Sequence, residues 1–332
     1  MKRLITFMFL VLVGCREEPR MLSQEDERRA TKATEGWVEL APVAGDPRNG
    51  DYLTSIGACK ECHTLRAADG EHLDRTKLFG GGIPFAGPWG RVSSANVSAV
   101  ASAMPAGILE ATIRGQMAFK FQMPTDLYAE MADDDMRDLL AYLKTLTPVE
   151  RRNTENHYLA TWRPPEPRAP RPRPMTAPRG RTVERGKYLT TVAICRDCHS
   201  PRLPDGSYDE AHLFAGGGFS LRTGNGEALI PPNLTPDRET GIGTWTDADI
   251  ERAVRHGVAA DGHRLNPAMP YEVGLEALTD EDMGALILYL RSLPPVRRRL
   301  PENPHWTPSD PPDDCCFPGP VGGYDGREAV TK

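Results

Sequence analysis

One five-residue pattern occurs twice in this chain, as Cys59-Lys60-Glu61-Cys62-His63 and as Cys195-Arg196-Asp197-Cys198-His199. Two cysteines three positions apart can each add a thiol to one of the two vinyl groups of a haem. The histidine directly after them is then carried beneath the iron as an axial ligand. A C-x-x-C pair by itself also occurs in zinc sites and redox dithiols. The histidine and the second copy select haem attachment, because the same wider sequence surrounds both motifs. The expected cofactors are two covalently bound haem c groups, on Cys59 and Cys62 and on Cys195 and Cys198, with His63 and His199 as iron ligands.

The similarity runs well beyond the motifs. Gly50-Asp51-Tyr52-Leu53-Thr54 precedes the first as Gly186-Lys187-Tyr188-Leu189-Thr190 precedes the second. Downstream, His72-Leu73 with Gly80-Gly81-Gly82 pairs with His212-Leu213 and Gly216-Gly217-Gly218. Asn96-Val97-Ser98 pairs with Asn233-Leu234-Thr235, Arg114 with Arg255, and Met123-Pro124 with Met269-Pro270. The segments beginning at Asp133 and Asp280 close each copy. Fixed-order similarity of this kind is a tandem duplication, and a length of 332 residues agrees with about two domains.

The resulting organisation is a segment 1–14, a tether 15–45, a first domain 46–160, a linker 161–182, a second domain 183–308 and a tail 309–332. Helices are expected into each motif from Asn49 and Glu184, over 107–114 and 247–256, and from Asp133 and Asp280. The last of these carries Met136, Leu139, Leu140 and Leu143, or Met283, Leu286, Ile287 and Leu290, at helical spacing. Thr246 followed by Asp249 reads as a capping box. With 31 glycines and 31 prolines, the middle of each copy is loop, and a covalently held haem has to serve as its core.

Lys2 and Arg3 followed by an apolar run to Val13 read as a signal peptide, too short to span a bilayer. Leu12-Val13-Gly14-Cys15 resembles a bacterial lipobox, which makes Cys15 the expected lipidation site; a plain secretory signal is the alternative. The linker from Arg163 to Arg181 is dense in proline and arginine and reads as an extended connector, or else as a basic docking patch. Both chain ends after the last helices are expected to fold back over their own domains. Cys315 and Cys316 lack a following histidine; in an oxidising compartment they read as a disulfide, with each other or with another chain.

The second axial position decides the chemistry. Met123 and Met269 lie in matching proline-bounded loops and are the expected thioether ligands, whereas Met136 and Met283 fall on an apolar helix face and read as core. Met104 competes with Met123 but has no partner in the second copy. Arg114 and Arg255, with Trp89 and Trp245, are candidate propionate partners; exposed helix cations and plain core aromatics are the other readings. His72 and His212 read as structural hydrogen-bonders, and His256 and His263 as a helix-end and a loop residue, with iron ligation in another redox state as the alternative for these two. A net charge of −6, from 40 basic and 46 acidic residues, is too mixed for an extended nucleic-acid surface.

Taken together, these residues resemble class I-type cytochrome c domains, which implies a mainly α fold of two such domains in tandem with long Gly/Pro-rich loops around haem. The stretch from Arg185 to Val296 is similar to the cytochrome c subunits of periplasmic alcohol, aldehyde and gluconate dehydrogenases. Its strings Asn233-Leu234-Thr235-Pro236-Asp237, Thr240-Gly241-Ile242-Gly243-Thr244-Trp245-Thr246 and Met269-Pro270-Tyr271 carry the likeness. The first copy lacks the Thr-Gly-Ile-Gly-Thr-Trp segment. The resemblance implies His/Met-ligated haem c and transfer of single electrons from a dehydrogenase donor towards a quinone, oxidase or cytochrome acceptor. It also implies a periplasmic setting, and the lipobox reading adds a membrane attachment only through the lipid on Cys15. A di-haem enzyme with one exchangeable axial site, of peroxidase or thiosulfate-oxidising type, is the competing function.

Overall fold

The computed structural model describes residues 43–67, 72–87, 90–117, 123–151, 156–158, 167–218, 221–222 and 228–303. The signal segment, Cys15, Trp89, Cys315 and Cys316 lie outside them. In chain order the helices are α1 (Pro47–Ile56), α2 (Cys59–His63), α3 (Val97–Ala103), α4 (Ala106–Ile113), α5 (Thr125–Tyr128), α6 (Asp133–Leu143), α7 (Val183–Val192), α8 (Cys195–His199), α9 (Asp247–His256) and α10 (Asp280–Ser292). The strands are short and antiparallel: β1 (Pro84–Gly87), β2 (Gly90–Ser93) and β3 (His157–Tyr158) form one sheet, β4 (Leu221–Arg222) and β5 (Ala228–Leu229) another. The fold is mainly helical with these small sheets, which the helical periodicity did not announce.

Each half is built on one helix pair. Asp46 caps α1, with Pro47 at its first position, and Thr182 caps α7 through the Arg185 N–H. α1 packs on α6 and α7 on α10, and glycine sets both spacings. A Cβ on Gly50 would lie 2.1 Å from the Asp138 carbonyl oxygen, and one on Gly186 2.0 Å from that of Ala285. Around these crossings Leu53, Ile56, Met136, Leu139 and Leu140 are buried, as are Leu189, Val192, Met283, Leu286 and Leu290. Met136 and Met283 are core, as their helical spacing predicts.

The halves also touch one another, and they do so reciprocally. Tyr52 Oη donates to Asp282 Oδ2 at 2.6 Å, and Tyr188 Oη to Asp135 Oδ2 at 2.8 Å. Tyr52 and Tyr188 are repeat equivalents, as are Asp135 and Asp282, so the contact has the self-complementary pattern of a two-fold dimer interface.

The segment between the copies is not a free-standing connector. Asp133 N donates to Pro174 O and Asp134 N to Met175 O, each at 3.1 Å, while Arg173 pairs with Asp133 and Arg179 with Asp134 and Asp135. The first turn of α6 offers N–H groups without helical partners and three aspartates, and the linker supplies carbonyls and guanidiniums to both. These arginines are spent inside the molecule. The described residues after α6 and α10 fold back onto their own halves: Ser93 N donates to Asn156 Oδ1, and Ile230 N to Asn303 Oδ1, at 2.8 and 2.7 Å.

Candidate functional site

Each haem-type motif forms a separate five-residue helix rather than the end of the preceding one. Ala58, at φ 57°, breaks α1 from α2, and Ile194, at φ 53°, breaks α7 from α8. Neither is a glycine, so surrounding packing has to stabilise a backbone state that L-residues seldom adopt. The result is a short turn carrying two thiols and an imidazole in each half.

The histidines are oriented identically. His63 Nδ1 lies 2.9 Å from the Ala95 carbonyl oxygen and His199 Nδ1 2.8 Å from that of Pro232. Each Nδ1 therefore carries the proton as a donor, leaving Nε2 with its lone pair for a metal. Burial pushes the pKa of His199 down to about 4 and lowers that of His63, which keeps both rings in the neutral form that an iron ligand requires.

A loop behind each motif completes the support. Gly81 N donates to His63 O and Gly216 N to His199 O, both at 2.8 Å; Thr64 and Ser200 hydroxyls accept from Phe79 N and Phe214 N, both at 3.0 Å. Phe79 and Phe214 are fully buried and share φ 61°. The loops therefore align as Phe79-Gly80-Gly81-Gly82 on Phe214-Ala215-Gly216-Gly217. That is one residue away from the glycine-on-glycine pairing expected from sequence, because the φ > 0 positions fix the register and the run of glycines does not.

Cys59, Cys62, Cys195 and Cys198 are thiols, none of them in a disulfide. Burial pushes the thiols of Cys59 and Cys195 up to about 12 and raises that of Cys198 further. Among the described residues no group of three or more His, Cys, Asp and Glu side chains gathers as a metal site. Met123 and Met269 border the same apolar core as Cys59 and Cys195, and each opens the same tight turn: Thr125 N donates to Met123 O, and Tyr271 N to Met269 O, at 2.7 Å. Met104 touches that core too, at the end of α3. Paired thiols, a neutral imidazole with its Nε2 lone pair available and a core-facing thioether are the donor set that covalent haem c needs, and the residues fit the group.

The paired arginines are engaged elsewhere. Arg114 is 1 % exposed and donates to Glu110, Asp133 and the Met131 carbonyl; Arg255 donates to Glu251, Asp280 and the Leu278 carbonyl. Each ties the end of one helix to the start of the last helix of its half, α4 to α6 and α9 to α10, which is why the pair recurs. Trp245 is half-buried against the core, and its carbonyl accepts from Arg291 at 2.5 Å. His212 and His263 pair with the nearby Asp209 and Asp261, His256 ends α9 in solvent, and His72 is exposed. Sequence reasoning passed over Tyr128, whose buried hydroxyl donates to Gly57 O at 2.7 Å between α1 and α2. It also passed over the ion pairs Arg196–Glu130, at 2.9 Å, and Arg202–Asp126, at 3.3 Å, which tie the second motif to the first half. Neither has a periodicity that would mark it.

No protein-family model matches the chain. It is 26 % identical over 294 residues to the gluconate 2-dehydrogenase cytochrome c subunit of Pantoea cypripedii, covering 78 % of this chain and 63 % of that protein. It is 27 % identical over 269 residues to the fructose dehydrogenase cytochrome subunit of Gluconobacter japonicus, 74 % of this chain and 52 % of that one. It is 34 % identical over 136 residues to a diheme cytochrome c-type protein of Cereibacter sphaeroides, 41 % of each. The chain thus spans less than two-thirds of the length of each of these three proteins. Among the described residues no helix is long and apolar enough to cross a membrane. The chain's relatives include cytochrome c subunits of dehydrogenases and a diheme cytochrome c.

Proposed function

We propose that this chain is a di-haem c-type cytochrome of two tandem class I-type domains, 46–160 and 183–308, that passes single electrons from a dehydrogenase to a respiratory-chain acceptor. The observation that carries the reading is the matched geometry of the two motifs. Both pin the histidine Nδ1 to a backbone carbonyl and place two thiols on the same short helix. Haem c, once attached, would supply a one-electron ferric/ferrous couple at each motif. Cys59, Cys62, Cys195 and Cys198 would hold it through thioethers, and His63 and His199 would bind through Nε2. Met123 and Met269 would fill the opposite axial positions, a ligand set that raises the potential and leaves no place for peroxide or another substrate. That favours a carrier over a di-haem enzyme. The segment 1–14 would direct export, and a lipid on Cys15 would anchor the protein on the periplasmic side of a membrane. The relatives' names support a sugar-acid or sugar dehydrogenase as donor.

The test is the intact mass of the full chain exported by a host with c-type haem maturation. Two haem adducts are expected, falling to one in Cys62→Ser and to one in Cys198→Ser. A chain exported without covalent haem would overturn the reading.

A further inference from the structure

We propose that Arg151 and Arg298 are a matched pair of positioning cations, each bracing the loop behind its own motif histidine and raising the reduction potential of the haem bound there. The inference rests on the haem reading above. It starts from the chain ends that fold back after α6 and α10. Asn96 Nδ2 donates to Val149 O, and Asn233 Nδ2 to Val296 O, both at 2.8 Å. Two residues further on, each chain end presents an arginine to an equivalent glycine. A Cβ on Gly82 would lie 2.5 Å from Arg151 Cζ, and a Cβ on Gly217 would lie 3.4 Å from Arg298 Nη2. Each guanidinium borders the space a side chain would fill.

Those glycines adjoin the histidine supports. Gly82 N donates to Ser94 O, next to the Ala95 carbonyl that takes His63 Nδ1; Gly217 N donates to Pro231 O, next to the Pro232 carbonyl that takes His199 Nδ1. Arg298 Nη1 also donates to Gly216 O at 2.9 Å. Arg151 Nε is buried and makes no hydrogen bond to any protein atom. Both arginines are half-buried. A fixed positive charge held through protein rather than bulk water acts at a lower effective dielectric, and it disfavours the ferric ion more than the ferrous one. The potential therefore rises. Lysine keeps the charge and loses the guanidinium fork, including the Arg298 Nη1 bond to Gly216 O.

The experiment is a potentiometric optical titration of the haem-loaded full chain, with dithionite and ferricyanide, of Arg151→Gln, Arg298→Gln and the two lysine variants. Haem content is measured alongside. Each glutamine variant is expected to lower one of the two midpoint potentials and leave the other in place, and each lysine variant to restore most of the shift. Should a glutamine variant fail to load, Arg151→Met or Arg298→Met makes the same comparison. Haem-loaded variants whose potentials all stay at the parent values would overturn the proposal. So would glutamine shifts that lysine does not rescue, or neutral variants that never load haem at all, since either assigns the arginines to folding alone. A parent chain without covalent haem would instead sink the haem reading itself.

Discussion

The two halves place equivalent residues at equivalent points and stabilise them by different means. In the second half Arg185 forks onto Asp282 with two bonds of 2.7 Å, and both side chains are almost wholly buried. The same position in the first half is Asn49, which donates to Asp135 at 3.0 Å, while Arg179 from the linker supplies the charge at 2.9 Å. The second half carries its cation on the helix that needs it; the first borrows one from the strap. A duplicated site can therefore keep its geometry while its electrostatics drift, provided the buried carboxylate stays paired.

The largest expected difference follows from that contrast. Asp282→Ala strands the Arg185 charge in the interior and should cost about 3–5 kcal/mol. Asn49→Ala removes a neutral amide that donates to Asp135 and Asp138 while Asp135 keeps Arg179 and Tyr188, and should cost about 1–2 kcal/mol. Chemical unfolding of both variants checks this, and equal losses would break the comparison. Next come Gly50→Ala and Gly186→Ala, which insert a methyl where backbone already lies and should each cost about 1–3 kcal/mol. Here the halves should agree, because both crossings are equally tight.

Acid should act on the second half through Asp282. Burial alone would raise its pKa, but the hydrogen bonds from Arg185 and Tyr52 outweigh it and hold the carboxyl below its ordinary value of 3.8. A depressed carboxylate stabilises the fold fully above its unfolded pKa and loses that contribution as pH falls through the folded one. The part of the acid-induced fall in unfolding midpoint that depends on Asp282 should therefore set in only below about pH 4, and below that pH the fall should be shallower in Asp282→Asn. The smallest effect belongs to the helix caps. Thr246 and Asp249 close a capping box on α9, whereas its counterpart α4 starts at Pro105 with no side-chain cap. Thr246→Ala should cost about 1 kcal/mol by thermal unfolding, and Pro105→Ala should show no comparable loss of a cap bond.

Much of this was legible in the chain itself. The motif pair, the starts of α6 and α10, the Thr246 box and the core methionines all follow from spacing rules that local chemistry obeys. The glycine alignment was misread because identical letters stood one place away from the backbone angles they serve. α3 was missed because Asn96 caps a helix in the first half, while the matching segment after Asn233 turns at Pro236 and at Gly241 and Gly243, which pack onto the Thr235 and Pro236 carbonyls. The linker's prolines announce an extended segment without helix or sheet, but no composition rule states that its arginines find the aspartates at the head of α6. Arg114 and Arg255 paired correctly in sequence, yet their partners are protein groups that only folding brings near.

The central claim is that both irons are bound axially by protein on both faces. The direct measurement is a reductive optical titration of the haem-loaded chain, repeated with carbon monoxide, azide and peroxide. Two low-spin haems that show the thioether-to-ferric-iron absorption and ignore all three ligands are the result this account predicts. A high-spin fraction, or one haem that takes up a ligand after half-reduction, would contradict it and leave an enzyme with an open iron in place of a carrier.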